Sequence, residues 1–91
     1  MTKVEIYTKS WCPYCARAKA LFDRKCVAYE EIDVTTDLTR EREMVTRSGR
    51  YTVPQIFIDG THIGGSDDLA EADAAGRLDD ILSSELLGAS T

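Results

Sequence analysis

Ninety-one residues suffice for one domain, 1–91, and a chain this short buries only about 60–65% of its unfolded surface, so its core is modest. With 43% hydrophobic and 30% charged residues the composition excludes disorder, and no apolar run approaches the roughly 20 residues of a membrane helix. The net charge of −5 opposes binding to a nucleic-acid backbone, and the opening MTKVEIYTKSW lacks the apolar block of a secretory signal, which leaves the cytoplasm as the expected compartment.

From Lys3 to Thr8, Val4 and Ile6 alternate with polar neighbours among β-branched and aromatic residues, which predicts a strand. Pro13 then suits the first position of a helix, where a missing N–H costs nothing. The stripe Cys15, Ala18, Leu21, Phe22 follows helical spacing and is expected to face a core, with the helix ending over Lys25 to Val27. Ala28 to Val34 reads as a second strand. Asp37 to Ser48 reads as a second helix, with Leu38, Glu41, Met44 and Val45 near one side and Gly49 as its C-terminal cap. Gln55 to Ile58 is a third strand, and Asp59-Gly60 signals a tight hairpin returning as a fourth strand over Thr61 to Gly64. A further helix starts near Asp67 and breaks near Gly76. Leu78, Ile81, Leu82 and Leu86 mark one more amphipathic helix, and 87–91 reads as a loose tail. The order β-α-β-α-β-β-α-α predicts an α/β fold with a mixed four-stranded sheet and helices on both faces.

An odd count of three cysteines argues against a disulfide-stapled scaffold. Two of them form Cys12-Pro13-Tyr14-Cys15 at the junction of the first strand and first helix. Cys12 is expected at the N-cap and Cys15 at the third helical position, close enough to close a disulfide. First-turn N–H groups without intrahelical partners, together with the helix dipole, favour a thiolate on Cys12. Lys9 adds a positive charge nearby. Cys12 is therefore read as the attacking sulfur and Cys15 as the buried resolving thiol. Structural zinc takes four ligands, which one pair plus a lone Cys26 and a lone His62 do not supply, so no metal is expected. Cys26 falls on the core stripe and is read as a buried small hydrophobe, and His62 as a surface or packing residue.

Charge is uneven along the chain. Residues 9–25 carry five bases and one acid, whereas 67–80 carry six acids against Arg77, an asymmetry that could steer an anionic substrate toward the first half.

CPYC after a strand, TVPQIFIDG at 52–60 and IGGSDDL at 63–69 together resemble the dithiol glutaredoxins over residues 3 to about 83. The resemblance implies a thioredoxin-like fold and a glutathione-dependent thiol–disulfide oxidoreductase acting on protein–glutathione mixed disulfides and protein disulfides. Glutathione would be the reducing co-substrate, with no permanently bound cofactor. The resemblance also implies a cis bond before Pro54 and a Val53 backbone that pairs with the cysteine of glutathione. Thr52 and Tyr14 would line the groove. Asp67 and Asp68 would hold the γ-glutamyl end and Lys9 the glycyl carboxylate. Members often carry a basic or amide side chain on the second helix at the glycyl end; here Arg40, Glu41 and Arg42 fall there. A monomer is expected, with glutathionylated or disulfide-containing proteins such as ribonucleotide reductase as compatible partners. Iron–sulfur carriers of this family tend to have glycine after the first cysteine, a geometry that Pro13 disfavours.

Overall fold

The computed structural model describes residues 2–82. In chain order it contains β1 (Val4–Thr8), α1 (Pro13–Arg24), β2 (Glu30–Asp33), α2 (Leu38–Ser48), β3 (Gln55–Ile58), β4 (Thr61–Gly64) and α3 (Ser66–Ala74), after which residues 77–82 are again helical. The strands lie in the order β2-β1-β3-β4, with β1 parallel to β2 and the other neighbours antiparallel. This is the mixed sheet expected from the sequence. Leu86 and the tail at 87–91 lie outside the described residues.

Each face of the sheet has its own core. On one, Val4, Ile6, Ile56 and Ile58 pack with Ala18, Leu21 and Phe22 of α1, Leu69 and Ala72 of α3, and Leu78. On the other, Tyr7, Ile32, Val34 and Phe57 pack with Met44 of α2. Because β1 is a central strand covered on both sides, all five of its residues are buried, Glu5 and Tyr7 included. Glu5 tolerates this position by pairing with Arg47, at 3.1 and 3.3 Å, while Arg47 also donates to the Tyr7 hydroxyl at 2.9 Å. The Arg47 guanidinium lies 4.0 Å from the Phe57 ring centroid, and Tyr7 donates in turn to Glu43. A charged cluster therefore fastens α2 to the sheet.

Turns follow local chemistry. Asp59 and Gly60 both take positive φ, 51° and 81°, as a primed hairpin turn requires. Asp37 caps α2 by accepting from the Arg40 N–H at 3.1 Å, and Gly49 ends it at φ 73°. Leu38, expected on the packed side of α2, is instead 59% exposed, since it stands in the first turn beyond the edge of the sheet core.

Cys26 also departs from expectation: it is exposed. The α1 helix stops at Arg24, and Cys26 turns the chain in the left-handed region at φ 57°. The Cys26 N–H bonds the Asp23 carbonyl at 3.1 Å and the Val27 N–H reaches the Phe22 carbonyl at 3.0 Å, the paired bonds of a Schellman ending. Val27 packs on the core in its place. A side chain in this conformation costs about 1–2 kcal/mol relative to glycine. Cys26→Gly should therefore stabilise the fold by about 1 kcal/mol after the added unfolded-state entropy, raising the melting temperature by about 4–8 °C. Thermal unfolding beside Cys26→Ala, which keeps the Cβ and should gain nothing, checks this.

Candidate active site

The Cys12 side chain occupies the N-cap of α1, with Pro13 at the first helical position. Its sulfur accepts the Cys15 backbone N–H at 3.1 Å, one of the amides that has no partner within the helix. The Cys12 sulfur also lies 3.8 Å from the Val53 carbonyl oxygen, the outer limit for a thiol donor. Cys12 is half-buried and Cys15 buried, one turn inside. Burial, and then a hydrogen bond to the Cys12 sulfur, push the Cys15 thiol up to about 12, so it is protonated at neutral pH. The two sulfurs thus differ in exposure, Cys12 at the helix tip and Cys15 buried one turn inside.

Trp11 precedes them with φ 64° and 94% exposure. A bulky aromatic in the left-handed region is strained, and this strain sits next to Cys12.

On the Val53 side of Cys12 a hollow of about 220 Å³ is lined by Tyr14, Arg50, Thr52, Val53, Pro54, Gly65, Ser66, Asp67 and Asp68. Six of the expected groove residues therefore meet in one place. The Val53–Pro54 bond is cis, as the resemblance implies. Tyr14 is largely exposed, with the Arg17 guanidinium 5.3 Å from its ring centroid. Asp68 accepts the Gly65 N–H at 2.9 Å and Arg50 at 2.9 Å, and these two bonds, the backbone one foremost, hold its carboxyl below the usual carboxylate range. One Asp68 oxygen is thus committed to closing the start of α3, whereas Asp67 stands in the first turn, where the free N–H groups favour an anion.

Arg50 of this wall, and Gln55 behind it, have no role in the sequence reading. Arg50 brings a guanidinium to the hollow beside Asp68. Gln55, fully buried, donates to the Thr52 carbonyl at 3.0 Å and to its hydroxyl at 3.1 Å, while its own oxygen lies 2.7 Å from His62 Nε2. His62 is thereby a packing residue, 4.9 Å from the Phe57 ring centroid, and burial lowers its tendency to protonate. The side-chain chain His62–Gln55–Thr52 braces the loop that carries Val53.

Lys9 lies on the opposite side of Cys12, in a second hollow shared with Trp11, Lys19, Glu31 and Asp33. Its ammonium is 2.7 Å from Glu41 of α2. Lys19 is likewise matched by Glu31 at 3.0 Å, and Lys25 by Asp73 and Asp79 at 2.8 and 2.6 Å. The basic run at 9–25 is therefore largely neutralised by acids from elsewhere in the fold, which weakens the steering expected from its charge. Among the described residues no cluster of three or more His, Cys, Asp or Glu could hold a metal ion, and no helix is long and apolar enough to cross a membrane.

The family model for glutaredoxins matches residues 4–63. The chain belongs to the glutaredoxin family. Glutaredoxins are thiol–disulfide oxidoreductases, and so is this chain. It is 56% identical over 82 residues to glutaredoxin 3 of Escherichia coli (strain K12), an alignment covering 90% of this chain and 99% of that protein. The solution structure of glutaredoxin from Brucella melitensis superposes with a TM-score of 0.79 at 51% identity, over 90% of this chain and 89% of that one. The crystal structure of a buckwheat glutaredoxin–glutathione complex superposes with a TM-score of 0.83 at 31% identity, over 91% and 78% of the two chains. As a glutaredoxin, the molecule has the thioredoxin-like sheet the sequence implied, with its cysteine pair at the entrance to α1.

Proposed function

We propose that this glutaredoxin uses Cys12 to take glutathione from protein–glutathione mixed disulfides, and the Cys12–Cys15 pair to reduce protein disulfides. The Cys12 thiolate attacks the glutathione sulfur, the old S–S bond breaks, and the protein thiolate leaves with the electron pair and is protonated. The thiolate of a second glutathione then attacks the bound glutathione sulfur, releasing glutathione disulfide and regenerating Cys12. On a protein disulfide, Cys12 forms the mixed disulfide with the substrate. Cys15 gives its proton to the substrate thiolate released in that first attack and then attacks the Cys12 sulfur. The Cys12–substrate S–S bond breaks, the second substrate sulfur leaves as a thiolate and is protonated, and two glutathiones later reduce the Cys12–Cys15 bond, leaving as glutathione disulfide.

One observation carries the reading. The Cys12 sulfur sits at a helix tip, bonded by the Cys15 N–H at 3.1 Å and 3.8 Å from the carbonyl oxygen of Val53, which lines a hollow shared with the start of α3. That arrangement suits an extended thiol peptide. The Val53 backbone would pair with its cysteine as an added strand, and Thr52, Pro54 and Tyr14 would form the walls. The first turn of α3 would hold the γ-glutamyl carboxylate, Asp67 and Asp68 its ammonium, and Lys9 the glycyl end. A glutathione complex is known for the buckwheat relative, which supports this choice of thiol. The protein would work as a monomer in the cytoplasm, where free thiols persist. Ribonucleotide reductase and glutathionylated proteins are the substrates this chemistry suits.

The test is the source of electrons. With NADPH and glutathione reductase, a mixed-disulfide substrate should turn over only when glutathione is present. Equal turnover through thioredoxin reductase without glutathione would contradict the proposal.

A further inference from the structure

The one acid of α2 that meets a cleft cation does so where a substrate carboxylate is expected. Glu41 holds the Lys9 ammonium at 2.7 Å, with both side chains only partly exposed. Two oxygens sharing one ammonium at hydrogen-bond distance lie at most about 5–6 Å apart. A guest carboxylate reaching Lys9 must therefore either displace Glu41 or sit beside its negative charge, and either costs affinity. Nearby cations offer little relief. Lys19, across the same hollow, is matched by Glu31, and Arg40 stands 3.4 Å from Glu43. Arg42 lines a different hollow, with Val45, Thr46 and Tyr51, so at the Lys9 ammonium the Glu41 carboxylate cancels the charge.

We propose that Glu41 sets the charge specificity at the glycyl end of the cleft, so that the site accepts glutathione-type thiols whose C-terminal carboxylate is amidated, esterified or joined to an amine as readily as glutathione itself. The proposal rests on the orientation given above, with the γ-glutamyl end at α3 and the glycyl end at Lys9. Glu41 touches no reacting atom. Its effect is a neutral or cationic end gaining relative to an anionic one.

The experiment compares two mixed disulfides of 5-thio-2-nitrobenzoate, one with glutathione and one with its glycinamide form. Attack by Cys12 on the peptide sulfur breaks the S–S bond, expels the coloured thiolate and leaves the peptide on Cys12. The concentration giving half the maximal single-turnover rate is read for the native chain and for Glu41→Gln. The native chain should show values for the two peptides within about twofold. Glu41→Gln should lower the value for the carboxylate peptide by roughly fivefold, the range of a partly exposed charge pair, and leave the amide unchanged. Salt near 1 M should shrink that gain. An unchanged ratio in Glu41→Gln, with release still dependent on Cys12, overturns the role of Glu41 alone. Release no faster than in Cys12→Ser for either peptide overturns the underlying reading of the cleft as well.

Discussion

Cys12→Ser should abolish turnover of a protein–glutathione mixed disulfide, a loss of at least about 10³-fold, because a serine hydroxyl is not ionised at neutral pH and Cys15, the other sulfur of the pair, is buried. Cys15→Ser should keep that activity within about threefold, since the second glutathione replaces any need for an internal resolving thiol. The same Cys15→Ser chain should lose at least about tenfold in reducing protein disulfides, where the Cys12–protein intermediate waits on Cys15. The asymmetry follows from position. Cys12 is half-buried at the helix tip, whereas Cys15 is buried and its thiol is pushed up to about 12. The glutathione-coupled assay with both substrates reads all three numbers. Survival of both activities in Cys12→Ser would reverse the assignment.

Gly64→Ala should unfold or distort the far wall of the cleft. A Cβ built on Gly64 falls 2.3 Å from an Asp68 carboxylate oxygen and 2.6 Å from Asp68 Cβ and Cγ, on a backbone at φ 128°. Relief requires the Asp68 side chain to move, but its carboxylate is bonded to the Gly65 N–H and to Arg50, and those bonds close the start of α3. Clash and backbone strain together should cost about 3 kcal/mol, a fall of roughly 12–24 °C in melting temperature. In whatever fraction stays folded, half-saturation by glutathione should rise several-fold, because the proposed γ-glutamyl site includes the same turn. Gly60→Ala is the control: φ is also positive, at 81°, but no atom lies within 4 Å, so only the strain of about 1 kcal/mol remains. Equal losses in the two variants would show that the Asp68 contact does not matter.

How much of this was legible in the sequence depended on whether the cause was local. The cap at Cys12, the Pro13 helix start, the Asp59-Gly60 turn and the Gly49 cap each depend on a few adjacent residues, and each formed where the pattern placed it. The parallel β1–β2 pair and the antiparallel β3–β4 hairpin followed from the element order, whereas the pairing of β1 with β3 is seen only in the structure. Alternation in Lys3 to Thr8 sets Val4 and Ile6 against polar neighbours and carries no sign that Glu5 and Tyr7 are buried as well. They are buried because α2 covers that side, and their partner Arg47 is some forty residues away. Arg50 and Gln55 carry no strong local signal for the same reason: their roles arise when β4 and α3 bring His62 and Asp68 alongside. Cys26 was misplaced because helical spacing was carried one turn too far, past the point where Lys25 ends the helix. Lys9 lines the same hollow as Cys12, but its Glu41 partner lies on another element, beyond any local pattern.

The most direct test of the central claim is alkylation of the three thiols in one sample, followed by mass spectrometry from pH 5 upward. If the helix tip activates Cys12, iodoacetamide should label it at pH 6 at least about tenfold faster than the exposed Cys26, which serves as internal standard. Cys15 should stay unlabelled through the neutral range and react only as the pH climbs toward about 12. Labelling of Cys12 no faster than Cys26, or of Cys15 at neutral pH at a similar rate, would contradict the division of roles on which the chemistry depends.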